Sequence, residues 1–141
     1  MTSLTLEQAE AVLAAAKEKA DDIGVPMNIA VVDAGGHLIL LERMEGGKFH
    51  TVHSATTKAA CAASTRRVTT SHGAVGQPLD AAHALGLALA AGPERWTAME
   101  GGCPVIVNGE CIGGVGVAGA DWKTDEALAQ EAVTAIGATW G

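Results

Sequence analysis

The chain has no tyrosine, one phenylalanine and three tryptophans among its 141 residues, so large aromatic side chains cannot fill its interior. Its core must rest on Ala, Val, Leu and Ile packed at close approach. Positive charge is scarce as well: nine Lys and Arg stand against 16 Asp and Glu, a formal net charge of -7. A polyanionic partner requires a basic surface that displaces counterions, so neither DNA nor RNA is expected. The three cysteines, Cys61, Cys103 and Cys111, are odd in number and include no C-x-x-C pair. That usage excludes a disulfide framework and a zinc site and suits a reducing cytoplasm. No apolar run approaches the ~20 residues of a membrane-spanning helix. The start, "MTSLTLEQAE", lacks the basic residues and apolar stretch of a signal peptide. Absent too are G-x-x-x-x-G-K-[ST], H-E-x-x-H, G-x-S-x-G and C-x-x-C-H, which weighs against common nucleotide, zinc and serine-hydrolase chemistries.

What is present is glycine, 18 residues of it, within a chain long enough to form a real core as one domain over residues 1–141. "TLEQAEAVLAAAKEKADDIG" reads as a helix capped by Thr5 with Gln8 as reciprocal partner, its apolar stripe being Leu6, Ala9, Leu13, Ala16 and Ala20. Gly24 stops it. "MNIAVVDAGGHLILLERM" reads as two strands around Gly35-Gly36, the first apolar on both faces and therefore inside a covered sheet. A second helix is expected from Thr51 to about Ser64. A third should run from Pro78, in its first turn, to about Ala90, with Gly92-Pro93 ending it. "PVIVNGECIGGVGVAG" gives two apolar runs around Asn108-Gly109, the signature of a type I′ hairpin. The last segment closes as a helix, with Thr124, Asp125 and Glu126 near its N-terminus. The predicted architecture is α+β: an antiparallel sheet built from two hairpins and covered by helices.

Val32-Asp33-Ala34-Gly35-Gly36, the run from Gly101 through Pro104 to Gly119, and Asp125 before the last helix together resemble the GlcG/HbpS family, the haem-degrading domain family that also includes the C-terminal domain of the PduO adenosyltransferase. The likeness covers nearly the whole chain. It implies an α/β sandwich-like fold, assembly into dimers or larger rings, and haem binding at or near a subunit interface in several members. It does not imply one activity. Two positions depart from the pattern: Glu100 stands where a third glycine often precedes Gly101-Gly102, and Cys103 replaces an aliphatic residue before Pro104.

His50 and His53 are the first candidates for chemistry. Three residues apart on a helix they lie about 60° apart around the axis, so both imidazoles can face one ligand, and Phe49 with the Ala-rich face would supply apolar walls for a porphyrin. Neutral imidazole is the lone-pair donor that haem iron takes. The competing reading is a polar helix start whose histidines meet only solvent. Lys58 falls roughly 140° from His53 and does not share its face. It is expected to hold a propionate, a substrate carboxylate or, with most weight, a carboxylate across a subunit contact. His72, in a polar loop, is a second candidate ligand. The backbone of Gly101 and Gly102 would allow close approach of a ligand or of another subunit. His37 reads as a turn-flanking surface residue, His83 as a packing histidine, and Asp33 as a ligand of its own turn backbone. Cys103 and Cys111 are offset along the hairpin ladder, so no disulfide between them is expected.

The leading expectation is a small cytoplasmic protein that binds haem or a related tetrapyrrole as a homo-oligomer, for storage, sensing or degradation. A second is a catabolic isomerase, hydratase or lyase acting on a small organic ligand. It would use His50 or His53 as general base, Lys58 or the Gly101-Gly102 backbone to hold an oxyanion, and Glu100 as acid. A third is an assembly module without a ligand.

Overall fold

The computed structural model describes residues 2–141. Elements follow in the order α1 (Leu6–Ile23), β1 (Asn28–Asp33), β2 (Leu38–Arg43), α2 (His50–Thr65), α3 (Ala81–Ala91), β3 (Gly102–Val107), β4 (Glu110–Ala118) and α4 (Trp122–Thr134). The strands form one antiparallel sheet in the order β2-β1-β4-β3, so the two hairpins meet through β1 and β4. This is the α+β architecture expected.

Local rules account for most element ends. Thr5 and Gln8 form the reciprocal capping box of α1, and Gly24, with φ of 75°, stops it in the left-handed conformation. Asn108 and Gly109 both have positive φ, as a type I′ turn requires. One carboxylate oxygen of Asp33 accepts from the amides of Gly35 and His37, closing the first hairpin.

Three expectations are corrected. The buried stripe of α1 is Ala9, Val12, Ala16 and Ala20, with Leu13 only partly buried, while Leu6 lies in solvent. Pro78 does not open α3. Asp80 caps it by accepting from the amide of His83, and Pro78 pairs with His72 in an isolated bridge two residues earlier. His83 is exposed rather than packed, since α3 has no buried residue at all.

The core is split by the sheet. Ile29 and Val31 of β1, Cys103 and Val105 of β3, and Val115 and Val117 of β4 pack toward α1 and α4. The alternate positions face α2 and are mostly small: Ala30, Ala118 and the single valine Val32 meet Ala55, Ala59 and Ala63. A Cβ on Gly114 or Gly116 would collide with the carbonyl oxygens of Ala59 or Ala55, so the backbone of α2 lies directly on β4.

Candidate functional site

α2 carries most of the candidate residues, and the fold divides them. In its middle Lys58 is almost fully buried, because the glycine-lined face draws α2 onto the sheet. Its ammonium donates to the carbonyl of Val117 at 3.0 Å and to Asp125 Oδ2 at 3.1 Å. The other Asp125 oxygen accepts from the amide of Ala120 at 2.9 Å. Burial pushes the Asp125 carboxyl up, against the pull of the Lys58 charge and the Ala120 amide. The carboxylate expected across a subunit contact therefore belongs to the same chain, 67 residues away in sequence. Gly101 packs beside this pair, where a Cβ would come within 2.9 Å of Lys58 Nζ.

Gly102 is likewise engaged inside the fold. Its amide donates to Thr69 Oγ1 at 2.8 Å, and its carbonyl accepts from the Thr69 amide at 2.9 Å. Glu100 accepts from the amide and hydroxyl of Ser71, each at 3.2 Å. Its charge, after burial, is the second cause raising the Glu126 carboxyl nearby. Burial, with a further contribution from Glu126, pushes the Cys103 thiol up to about 12, so Cys103 is a packing group and not a nucleophile. All three cysteines are free thiols, in keeping with the offset ladder positions.

The start of α2 is the opposite environment. Phe49 occupies the N-cap without a side-chain cap bond and is 84% exposed. His50 stands edge-on to its ring, with centroids 6.4 Å apart. Both His50 and His53 are exposed. His53, Ser54 and Thr57 form one wall of a cleft of about 280 Å³, faced by Ala84 and Ala88 of α3 and by Met99. His72 lies elsewhere, in a cleft of about 260 Å³ that it shares with His83, Arg67 and the buried Cys61. The structure thus sets Phe49 against His50, leaves His53 exposed one turn further along α2, and separates these three from His72 and from the buried Lys58, Gly101 and Gly102.

Two features escaped the sequence reading. Trp96 lines both of these clefts and a third, of about 970 Å³, beneath the two hairpin turns. That larger cleft is lined by His37, Ala63, Arg66, Arg95, Glu110 and Cys111. Nothing in the local pattern marks it, because its walls come from four separate stretches of chain. A hint existed at Arg66, which ends α2 with φ of 60° where glycine is usual.

No group of three or more His, Cys, Asp or Glu side chains able to hold a bare metal ion occurs among the described residues. Haem asks less of a protein, since its ring nitrogens already occupy four positions on the iron and one or two side chains complete the set. The exposed imidazoles at the start of α2, beside Phe49 and the cleft at His53, fit that requirement. No helix among the described residues is long and apolar enough to cross a membrane.

Comparison with known proteins agrees with this architecture. Residues 4–134 match the family described as "Haem degrading protein HbpS-like". A 15.0 kDa protein in the dhaT-dhaS intergenic region of Citrobacter freundii is 35% identical over 94% of this chain and 92% of its own length. Protein GlcG of Escherichia coli K12 is 35% identical over 81% of this chain and 80% of its own. Among solved structures, the PduOC:haem complex superposes with a TM-score of 0.86 at 26% identity, covering 99% of both chains. With its fold, its matched length and these relatives in agreement, the chain belongs to the HbpS-like family.

Proposed function

We propose that this chain is a single-domain protein that binds haem or a related tetrapyrrole, with the exposed start of α2 as the place of contact. The observation that carries the reading is the pair of imidazoles, His50 and His53, left in solvent beside an 84% exposed Phe49. An apolar ring and two nitrogen donors on one helix face are what a porphyrin and its iron require. Membership in a family described as haem degrading, and full-length likeness to a protein solved as a haem complex, support it. When bound, haem would supply the iron chemistry. The chain's part is to orient the macrocycle with Phe49, to offer His50 or His53 to the iron, and to exclude water on one side. His72 is the alternative donor, approached from its own cleft.

The three free thiols suit a reducing compartment, and on that ground we place the protein in the cytoplasm. It works as a homo-oligomer, with the ligand near a subunit contact, in storage, sensing or degradation. The enzyme reading has less to draw on, since Lys58 and the Gly102 amide, the groups that would hold an oxyanion, already have partners within the chain.

Haemin titration followed by Soret absorbance tests this, on the wild-type protein and on His50→Ala, His53→Ala, His72→Ala and His37→Ala. Saturable binding that is lost in the His50 or His53 variant is the expected result. Loss only in the His37 variant would move the ligand to the large cleft, and no saturable shift in the wild type would refute haem binding.

A further inference from the structure

Arg66 stands where an arginine is disfavoured. It follows the last turn of α2 with φ of 60°, the left-handed conformation in which glycine is usual and a Cβ is strained. Its charge would complement the negative end of the helix from within the last turn, where no strain arises, yet that turn holds no basic residue. Helix electrostatics alone therefore do not account for a guanidinium at this position. No carboxylate pairs with it among the described residues, whereas Lys17, Lys19 and Lys58 each have one.

What Arg66 does line is the cleft of about 970 Å³ beneath the hairpin turns. Arg95, which follows α3, and His37, in the first hairpin turn, line the same space. Three elements distant in sequence thus bring nitrogen donors to one cleft, in a chain with only four arginines and a net charge of -7. Arg95 donates one N–H to the Ala91 carbonyl at 3.4 Å, and its Nε lies 4.0 Å from the exposed Glu94. Its other donors are free to take a ligand. His37 Nδ1 is 3.3 Å from Asp33, and the carboxylate in the wall itself, Glu110, accepts from the Thr2 amide at 2.9 Å. Trp96, half-buried, adds a flat apolar surface.

We propose that this cleft binds a small organic carboxylate, with Arg66 and Arg95 holding the carboxylate and the apolar body resting against Trp96. A guanidinium presents paired N–H donors that match a carboxylate in bidentate fashion, and an indole face takes flat apolar groups. The volume lies within the ~300–1,000 Å³ of small-molecule sites. Phosphate fits less well. Phosphate sites draw on helix N-termini, whereas here the last turns of α2 and α3 bring their negative ends to the cleft and Glu110 stands in its wall. Two guanidiniums offset that field more readily for a singly charged group than for a dianion. The site shares no residue with Phe49, His50 and His53, so it is independent of the haem reading.

Amide chemical-shift titration with benzoate tests the site, on wild type, Arg66→Gly, Arg95→Gln and Arg67→Gln, with inorganic phosphate as the comparison probe. Glycine suits the backbone at position 66, so Arg66→Gly removes the guanidinium and keeps the helix end, and urea unfolding checks that it does. Arg67, which lines the neighbouring cleft, is the control. Saturable shifts at Gly35, Gly36 and Cys111 are expected in wild type. Benzoate affinity should fall about tenfold or more in Arg66→Gly and in Arg95→Gln, the scale of a lost charge-assisted hydrogen bond, and stay unchanged in Arg67→Gln. No saturable shift with benzoate, or equal affinity in all three variants, would overturn the site. Phosphate bound as tightly as benzoate would overturn the carboxylate class. Haemin titration of Arg66→Gly should leave the Soret response intact, and its loss there would make the cleft part of a haem site and overturn a separate one.

Discussion

Toward α1 and α4 the sheet presents Ile29, Val31, Val105, Val115 and Val117, whereas toward α2, apart from Val32, it presents the small Ala30, Gly114, Gly116 and Ala118. The first face keeps its helices at the distance that branched side chains impose. The second lets the α2 backbone rest on β4, near enough for Lys58 to reach the Val117 carbonyl. One helix is thereby divided in two: a middle fixed by a buried ion pair, and a start with exposed imidazoles and an exposed Phe49. Side-chain volume in the sheet, set by sequence alone, decides which part of α2 is structural and which is free to meet a ligand.

The largest expected effect comes from unpairing the fixed middle. Lys58→Met leaves Asp125 buried without its cation and is expected to cost about 3–5 kcal/mol in urea unfolding, while the double variant Lys58→Met/Asp125→Leu recovers most of that loss. A double variant no more stable than the single would show that packing, and not the stranded charge, is what fails.

Closing the thin face comes next. Gly116→Ala drives a methyl group into the carbonyl of Ala55 and should cost about 1–3 kcal/mol, enough to lower the urea midpoint clearly. An unchanged midpoint would mean that α2 can lift from β4 without penalty, which the contrast between the two faces forbids.

A smaller effect is pH-dependent. Burial first, and then the charge of Glu100, raise the Glu126 carboxyl above its ordinary 4.5. A carboxyl raised in the folded state contributes stability that is fully present below its unfolded value and is lost as pH rises through the folded one. Glu126→Gln should therefore stabilise the protein at neutral pH, and the gain should vanish below about pH 4.5. A gain of equal size at acid and neutral pH would assign it to something other than this ionisation.

The smallest effect on stability is expected where the effect on binding is greatest. His50→Ala and His53→Ala remove exposed side chains, and their unfolding free energies should stay within about 0.5 kcal/mol of wild type. A larger loss would give the histidines a structural role and blur the division of α2.

Much of this was legible along the chain because the signals are local. Thr5 with Gln8, Asn108-Gly109 and the Asp33 turn each depend on neighbours within four residues, and each appears as expected. At α3 two local signals competed, and the carboxylate cap at Asp80 prevailed over Pro78. The pairing of Lys58 with Asp125 was not legible, since both positions have ordinary local readings and meet only when the sheet closes. The same holds for the cleft around Arg66 and Trp96. Solvent exposure was hidden too: His83, four residues after Leu79 in a helical stretch, reads as a buried or packing histidine, yet α3 leaves it in solvent.

Amide hydrogen exchange along α2, with and without haemin, tests the division of that helix most directly. Residues 55–63, buried against the sheet, should exchange slowly in both states, and haemin should add protection at residues 49–54. Added protection confined to the middle of the helix, or none at its start under saturating haemin, would contradict the account.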